Sequence, residues 1–220
     1  ADPTNRLLAR GARYRMPAWM IRDQALSASG LLVDKKGGAP VNSYQPEGIW
    51  AEATFGKKRY SRGKGDDLYR RSIYSFWRRI AAPPMFFDNP GRETCSVTIS
   101  LTNTPLHALS TLNDTTYVEA ARALANRAAS SAGKNGKPAT QIAHAFQLVV
   151  ARNPSEQEQE ILENIYNRAQ LRFTSDPGAA ANFLKNGESP RNSELPEPQH
   201  AALATVCLGI LNLDEALTKE

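Results

Sequence analysis

Aromatic and basic side chains interleave in one short stretch of this chain: Tyr69-Arg70-Arg71, then Phe76-Trp77-Arg78. Rings that stack and guanidiniums that pair with anions would suit a sugar or a nucleobase. The same residues suit an amphipathic element with its rings in the core and its arginines reaching outward. Carboxylates form the second group with chemical reach: Asp23, Asp114, Glu119, Glu188, Asp214 and Glu215. Two of them facing each other across a cleft is what glycoside hydrolysis needs. Asp114 and Glu119 also stand where helix caps belong, and Asp23 is an ion-pair partner for Arg70 or Arg71. Spacing favours the structural role for both groups. The candidate polar or ligand-facing residues are Arg22, Asp23, Tyr69, Arg70, Arg71, Trp77, Asn103, Asn113, Asp114 and Glu119.

Other chemistries lack their motifs. Covalent haem needs Cys-x-x-Cys-His, and Cys95 is followed by Ser-Val-Thr, so no haem is expected on this stretch of chain. Cys95 and Cys207 could form one bridge, but the tendency of cysteine to be buried favours two free, buried thiols. His107, His144 and His200 share no metal-ligand spacing, and no metal is expected. No Gly-rich phosphate loop follows a strand, and no G-x-S-x-G elbow occurs. No reaction is legible.

The elements that must position these groups read as helices. Thr102–Ala125 looks like two short helices around an Asn113-Asp114 turn. Thr104 caps the first, with Pro105 at its first position and Leu106, Leu109 and Leu112 as an apolar stripe. Thr116 and Glu119 have capping-box spacing for the second, which carries Val118, Ala121, Leu124 and Ala125. This elbow is expected to be central, with its leucines buried. A first helix is predicted over 17–32, and loops over 33–65 ending in a basic tip, 57–65. Tyr69, Ile73, Phe76, Trp77 and Ile80 predict a helix over 67–80, with a strand as the alternative. Residues 96–101 alternate like a lone strand. Pro138 opens a further helix, and Ser155 with Glu158 caps the next. A short Ala-rich helix follows Asp176-Pro177, and Leu203, Val206, Ile210, Leu213 and Leu217 mark the last. The class is mainly α: an irregular multi-helix domain with long loops in its first half and room for one short strand or hairpin. It is read as a single helical domain over 1–220, with a loop-rich basic part at 1–100 and a helical part at 101–220.

The 220 residues are 41% hydrophobic and 22% charged, an ordinary globular composition. No apolar run is long enough to span a membrane, and ADPTNRLLAR lacks the apolar core of a signal peptide. Residues 1–80 hold 16 Lys and Arg against 7 Asp and Glu; the remainder holds 11 against 15. A basic half can face an anionic polymer, or the acidic half of its own chain, which is the simpler account.

Six phrases in order carry a family likeness: NRLLARG, MIRDQALSASGLL, LYRRSIYSFWRR, PPMFFDNPGRETC, TNTPLHALSTLNDTTYVEAARALA and LNLDEALTKE. Together they resemble the C-terminal domain of unknown function of the planctomycete cytochrome-c-associated multidomain proteins. The resemblance implies a further helical segment ahead of Asn5, so that this chain is the C-terminal portion of a larger domain. It also implies an export signal, a periplasmic or extracellular address, and haem c in upstream domains of the full-length protein. Those upstream domains are the implied partners, and the exported context disfavours nucleic acid; the basic half and the enzyme alternative add an anionic polymer or polysaccharide as a further partner. The family commonly has a basic run where this chain has residues 96–101, and glutamine where it has His107. It has no established catalytic residues to carry over.

Two functions are consistent with this. One is a non-catalytic helical module that scaffolds or docks other domains. The other is part of an enzyme domain acting on an extracellular polymer such as polysaccharide. A segment missing ahead of Asn5 would leave an exposed apolar patch near Leu7, Leu8, Trp19 and Met20.

Overall fold

The computed structural model describes residues 2, 4–11, 13–78, 81–88, 95, 97, 103–131, 133, 136–191 and 195–219. Among these the order begins β1 (Tyr14–Arg15), α1 (Ala18–Ser29), α2 (Ile49–Ala53). Three 3₁₀ turns follow, at Gly65–Tyr69, Ser72–Tyr74 and Pro84–Phe86. The helical half runs α3 (Pro105–Asn113), α4 (Thr115–Ser131), α5 (Pro138–Val150), α6 (Glu156–Ser175), α7 (Pro177–Leu184), α8 (Glu197–Leu211), α9 (Asp214–Leu217), then β2 (Thr218–Lys219). The mainly α class is as the sequence reads. β1 and β2 pair antiparallel, tying the segment before α1 to the segment after α9.

Alanine decides the centre. Ala120, Ala121, Ala125 and Ala128 of α4 and Ala201, Ala202 and Ala204 of α8 are fully buried. Small side chains let two helices approach closely, and α4 and α8 pack on each other more extensively than any other pair. α1 and α5 cover α4, while α6 and α7 cover α8. Their inward residues include Ile21 and Ala25, Ile142 and Phe146, Leu162 and Tyr166.

Several ends are set as expected. Ser155 and Glu158 form the reciprocal capping box of α6. Arg152 pairs with Glu158 at 2.7 Å and Glu215 at 2.6 Å, linking the starts of α6 and α9. This pairing holds the Glu158 carboxyl down at about 2. α1 ends at Gly30, whose φ of 80° lets Leu31 N–H reach the Leu26 carbonyl. Its start is capped from afar, because Asp88 accepts the Ala18 N–H at 3.0 Å.

Other expectations fail, each for a visible reason. No α-helix covers 67–78; the two 3₁₀ turns are separated by Arg70, which is extended, and Arg71. Isolated bridges join Val33 to Arg70 and Val41 to Ser75, and Ile73 is exposed. The predicted Ile80 and the predicted strand at 96–101, Val97 excepted, lie outside the described residues. Leu106, Leu109 and Leu112 are 71%, 58% and 42% exposed, so the elbow's first stripe faces outward. The inward face of α3 is instead His107, stacked 4.4 Å from Phe87, and Thr111, bonded to Asn212. The elbow's second half is buried as expected: Val118 is 6% and Leu124 0% exposed. Thr104 makes no side-chain cap. Asp114, not Thr116, starts α4: its carboxylate accepts the Thr116 N–H at 2.8 Å. Thr116 and Glu119 therefore form no capping box. The last helix breaks after Leu211, where the Asn212 amide bonds back to Leu208. Cys207 is free and buried, and Cys95 is free but exposed, against the expected burial.

Candidate functional site

The described residues between α1 and α3 have little secondary structure, so their backbone polar groups need other partners. Arginines supply them in relay. Arg22, fully buried on α1, donates to the carbonyls of Leu68 and Arg70, both at 2.8 Å, and to Ser72 Oγ. Its neighbour Asp23 accepts the Ser72 N–H at 2.8 Å and its hydroxyl at 2.7 Å. One turn of α1 thus satisfies both polarities of the 68–72 segment. Burial lowers the Arg22 pKa, and Asp23 at 3.5 Å opposes that shift. Arg71 is half-exposed and only 3.9 Å from Asp23. Arg70 repeats the device one loop further on. It donates to the carbonyls of Lys35, Gly37 and Ala39 and lies 4.0 Å over the Tyr74 ring.

A second cluster joins the loops to the helical half. Glu119, buried on α4, accepts the Tyr69 hydroxyl at 2.8 Å and the Ser189 N–H at 2.5 Å. Arg122, one turn on, is 3.6 Å from Glu119 and donates to the Ser189 carbonyl and hydroxyl at 2.6 Å. Tyr44 accepts the Glu188 N–H, and Arg62 pairs with the Glu188 carboxylate. Burial, and then the Glu119 carboxylate, push the Tyr44 and Tyr69 hydroxyls up. Gly187 closes the cluster: a Cβ there would lie 2.1 Å from Glu119 Cδ. The backbone covers the carboxylate so closely that no substrate atom reaches it.

The remaining candidates stand elsewhere. Trp77 is half-buried and packs 6.4 Å from Phe86. Asn103 is exposed ahead of α3. Asn113, also exposed, bonds back to the Leu109 carbonyl. Asn113 and Asp114 line an open cleft of about 580 Å³ with Tyr44, Glu47, Arg62 and Leu109. Burial raises the Asp114 pKa, and the bond from Thr116 opposes that. The ten candidates therefore divide into a relay around Arg22, the Tyr69–Glu119 pair, a cleft edge, and Trp77 and Asn103 outside these groups.

Sequence reasoning missed Tyr44, Arg122, Gly187 and Ser189. The available signal was Gly187-Glu188-Ser189, a glycine beside polar residues after a helix, of which the sequence singles out only the Glu188 carboxylate. Among the described residues no group of three or more His, Cys, Asp or Glu could hold a metal ion. None of their helices is long and apolar enough to cross a membrane.

Fold and site together define an α-helical domain whose buried charges stitch long loops to a helical core. The chain belongs to the family described as a protein of unknown function (DUF1553), PSD1, which matches residues 1–166. No curated protein and no solved structure matches it.

Proposed function

We propose that this domain is a non-catalytic scaffolding module of an exported multidomain protein associated with cytochrome-c-like domains. One observation carries the reading: Arg22, Asp23, Tyr69, Arg70 and Glu119 are all spent on internal bonds. Catalytic groups need access to a substrate, and four of these are buried while Asp23 keeps only a partly exposed edge. The exposed leucine face of α3 supplies a contact surface, and the upstream domains of the same polypeptide are its occupant. The test compares the longer polypeptide carrying Leu106→Ser and Leu109→Ser with its parent. Loosened domains, seen as faster proteolysis between intact domains, support the reading; unchanged cleavage contradicts it. Haem absorbance of the same polypeptide tests the cytochrome association.

A second reading, part of an enzyme domain on an extracellular polysaccharide, draws on the open cleft with the raised Asp114 carboxyl at its edge. Reducing-sugar release that Asp114→Asn abolishes, in a protein of unchanged circular dichroism, would favour it over the scaffold.

A further inference from the structure

The basic tip plays no part in either cluster except through Arg62. Residues 53–65 carry Lys57, Lys58, Arg59, Arg62 and Lys64 and no acid. Arg62 is paired with Glu188. The other four cations are exposed and have no ion pair among the described residues. Just ahead of them Phe55 is 94% exposed. Its ring is not on a slack loop. Phe55 and Gly56 both take left-handed backbone, at φ 51° and 77°. That geometry is held by Gly56 N–H to the Ala51 carbonyl at 2.7 Å and Lys57 N–H to the Thr54 carbonyl at 3.1 Å. Lys58 N–H adds a bond to Thr54 Oγ1 at 3.0 Å. A bulky residue is unfavourable in this conformation, so the tip keeps an apolar ring outward against both strain and solvation.

The base beneath is firm. Trp50 of α2 stacks on Tyr60 at 5.4 Å and on Phe76 at 6.1 Å, with Arg78 5.9 Å from its ring. Trp50 is 6% exposed, so it has no open face on which a sugar could stack. A soluble polyanion would satisfy the four cations and leave Phe55 in water. A headgroup layer over hydrocarbon satisfies both at once.

Going beyond the scaffold reading, we propose that the 53–65 loop docks this domain on an anionic lipid surface. Phe55 enters the interfacial apolar layer, and Lys57, Lys58 and Arg59 lie against the headgroups.

The test is sedimentation of the 220-residue chain at low salt with two vesicle types: phosphatidylcholine alone, and phosphatidylcholine mixed with phosphatidylglycerol. Binding is expected on the mixed vesicles only, weakening as salt rises. Phe55→Ser should lower the partition coefficient about tenfold, the scale of losing an aromatic side chain from an apolar layer. Lys57→Ser, Lys58→Ser and Arg59→Ser together should lower it about a hundredfold. Phe55→Trp should gain a blue-shifted emission component on the mixed vesicles. All four positions are exposed, so unchanged circular dichroism verifies the fold. Lack of binding, equal binding to both vesicle types, or a Phe55→Ser variant that binds undiminished would overturn the proposal. The last would mark the tip as a site for soluble polyanions.

Discussion

Gly187→Ala probes the seam between the two halves of the molecule at one atom. Two penalties meet there. The backbone has φ 85°, where a Cβ costs about 1–2 kcal/mol. The new methyl would also lie 2.1 Å from Glu119 Cδ, 2.3 Å from Oε1 and 2.5 Å from Cγ. Either the 187–189 segment lifts, or Glu119 gives up Tyr69, Ser189 and Arg122. Overpacking of this kind adds about 1–3 kcal/mol, for a total of about 2–5 kcal/mol. Gly48→Ala is the control, since φ is 80° there and nothing lies within 4 Å. It should lose only the backbone part, about 1–2 kcal/mol. Urea unfolding followed by circular dichroism measures both. Repeating Gly187→Ala in a Glu119→Ala background isolates the contact: with the carboxylate gone, the cost should fall to that of the control. The reasoning is refuted if Gly187→Ala costs no more than Gly48→Ala, or costs the same with and without Glu119.

His200 gives a pH dependence. Burial, aided by the nearby charges of Arg122 and Arg191, depresses it to about 4, while its Nε2–H donates to the Arg122 carbonyl at 3.1 Å. The unfolded chain therefore takes up the proton first. Stability is full above pH 6.5 and falls as pH drops toward 4, by up to about 3 kcal/mol. Melting temperature against pH should show this fall, and His200→Gln should flatten it; an unchanged profile in the variant would rule out His200 as the source. Leu124→Ala should cost about 2–5 kcal/mol as a core cavity, whereas exposed Leu109→Ala should stay within about 0.5 kcal/mol in the isolated chain. Equal costs in denaturant titrations would contradict the inverted stripe of α3. Arg22→Met should cost about 3–5 kcal/mol, because Asp23 loses its nearest cation and two loop carbonyls lose their donor. An m-value-matched loss below about 1 kcal/mol would show that water replaces the guanidinium without strain.

The helical half was legible because its signals are local. Pro138 opens α5, Ser155 and Glu158 cap α6, and Asp176-Pro177 starts α7. Capping depends on residues a few positions apart, so the chain states it directly. The loop half was not. Tyr69, Ile73 and Phe76 have helical spacing, yet their segment breaks into two short 3₁₀ turns, because Arg22 and Asp23, far back in sequence, hold its backbone. Periodicity reports a preference, and a long-range clamp overrides it.

The candidate site divides the same way. Sequence determined that a helix begins close to Asp114, although its capping-box spacing pointed to Thr116; it also set an Arg-Asp pair at 22–23 and arginines at 70–71. Its leucine stripe pointed to the wrong face of α3, since Leu106, Leu109 and Leu112 and the pair His107 and Thr111 both fit a helical face. Nor could it pair Glu119 with Tyr69 and Ser189, which stand 50 and 70 residues away. Only the tertiary structure decided that these charges are buried fasteners, because desolvation and partner geometry exist only once distant segments meet.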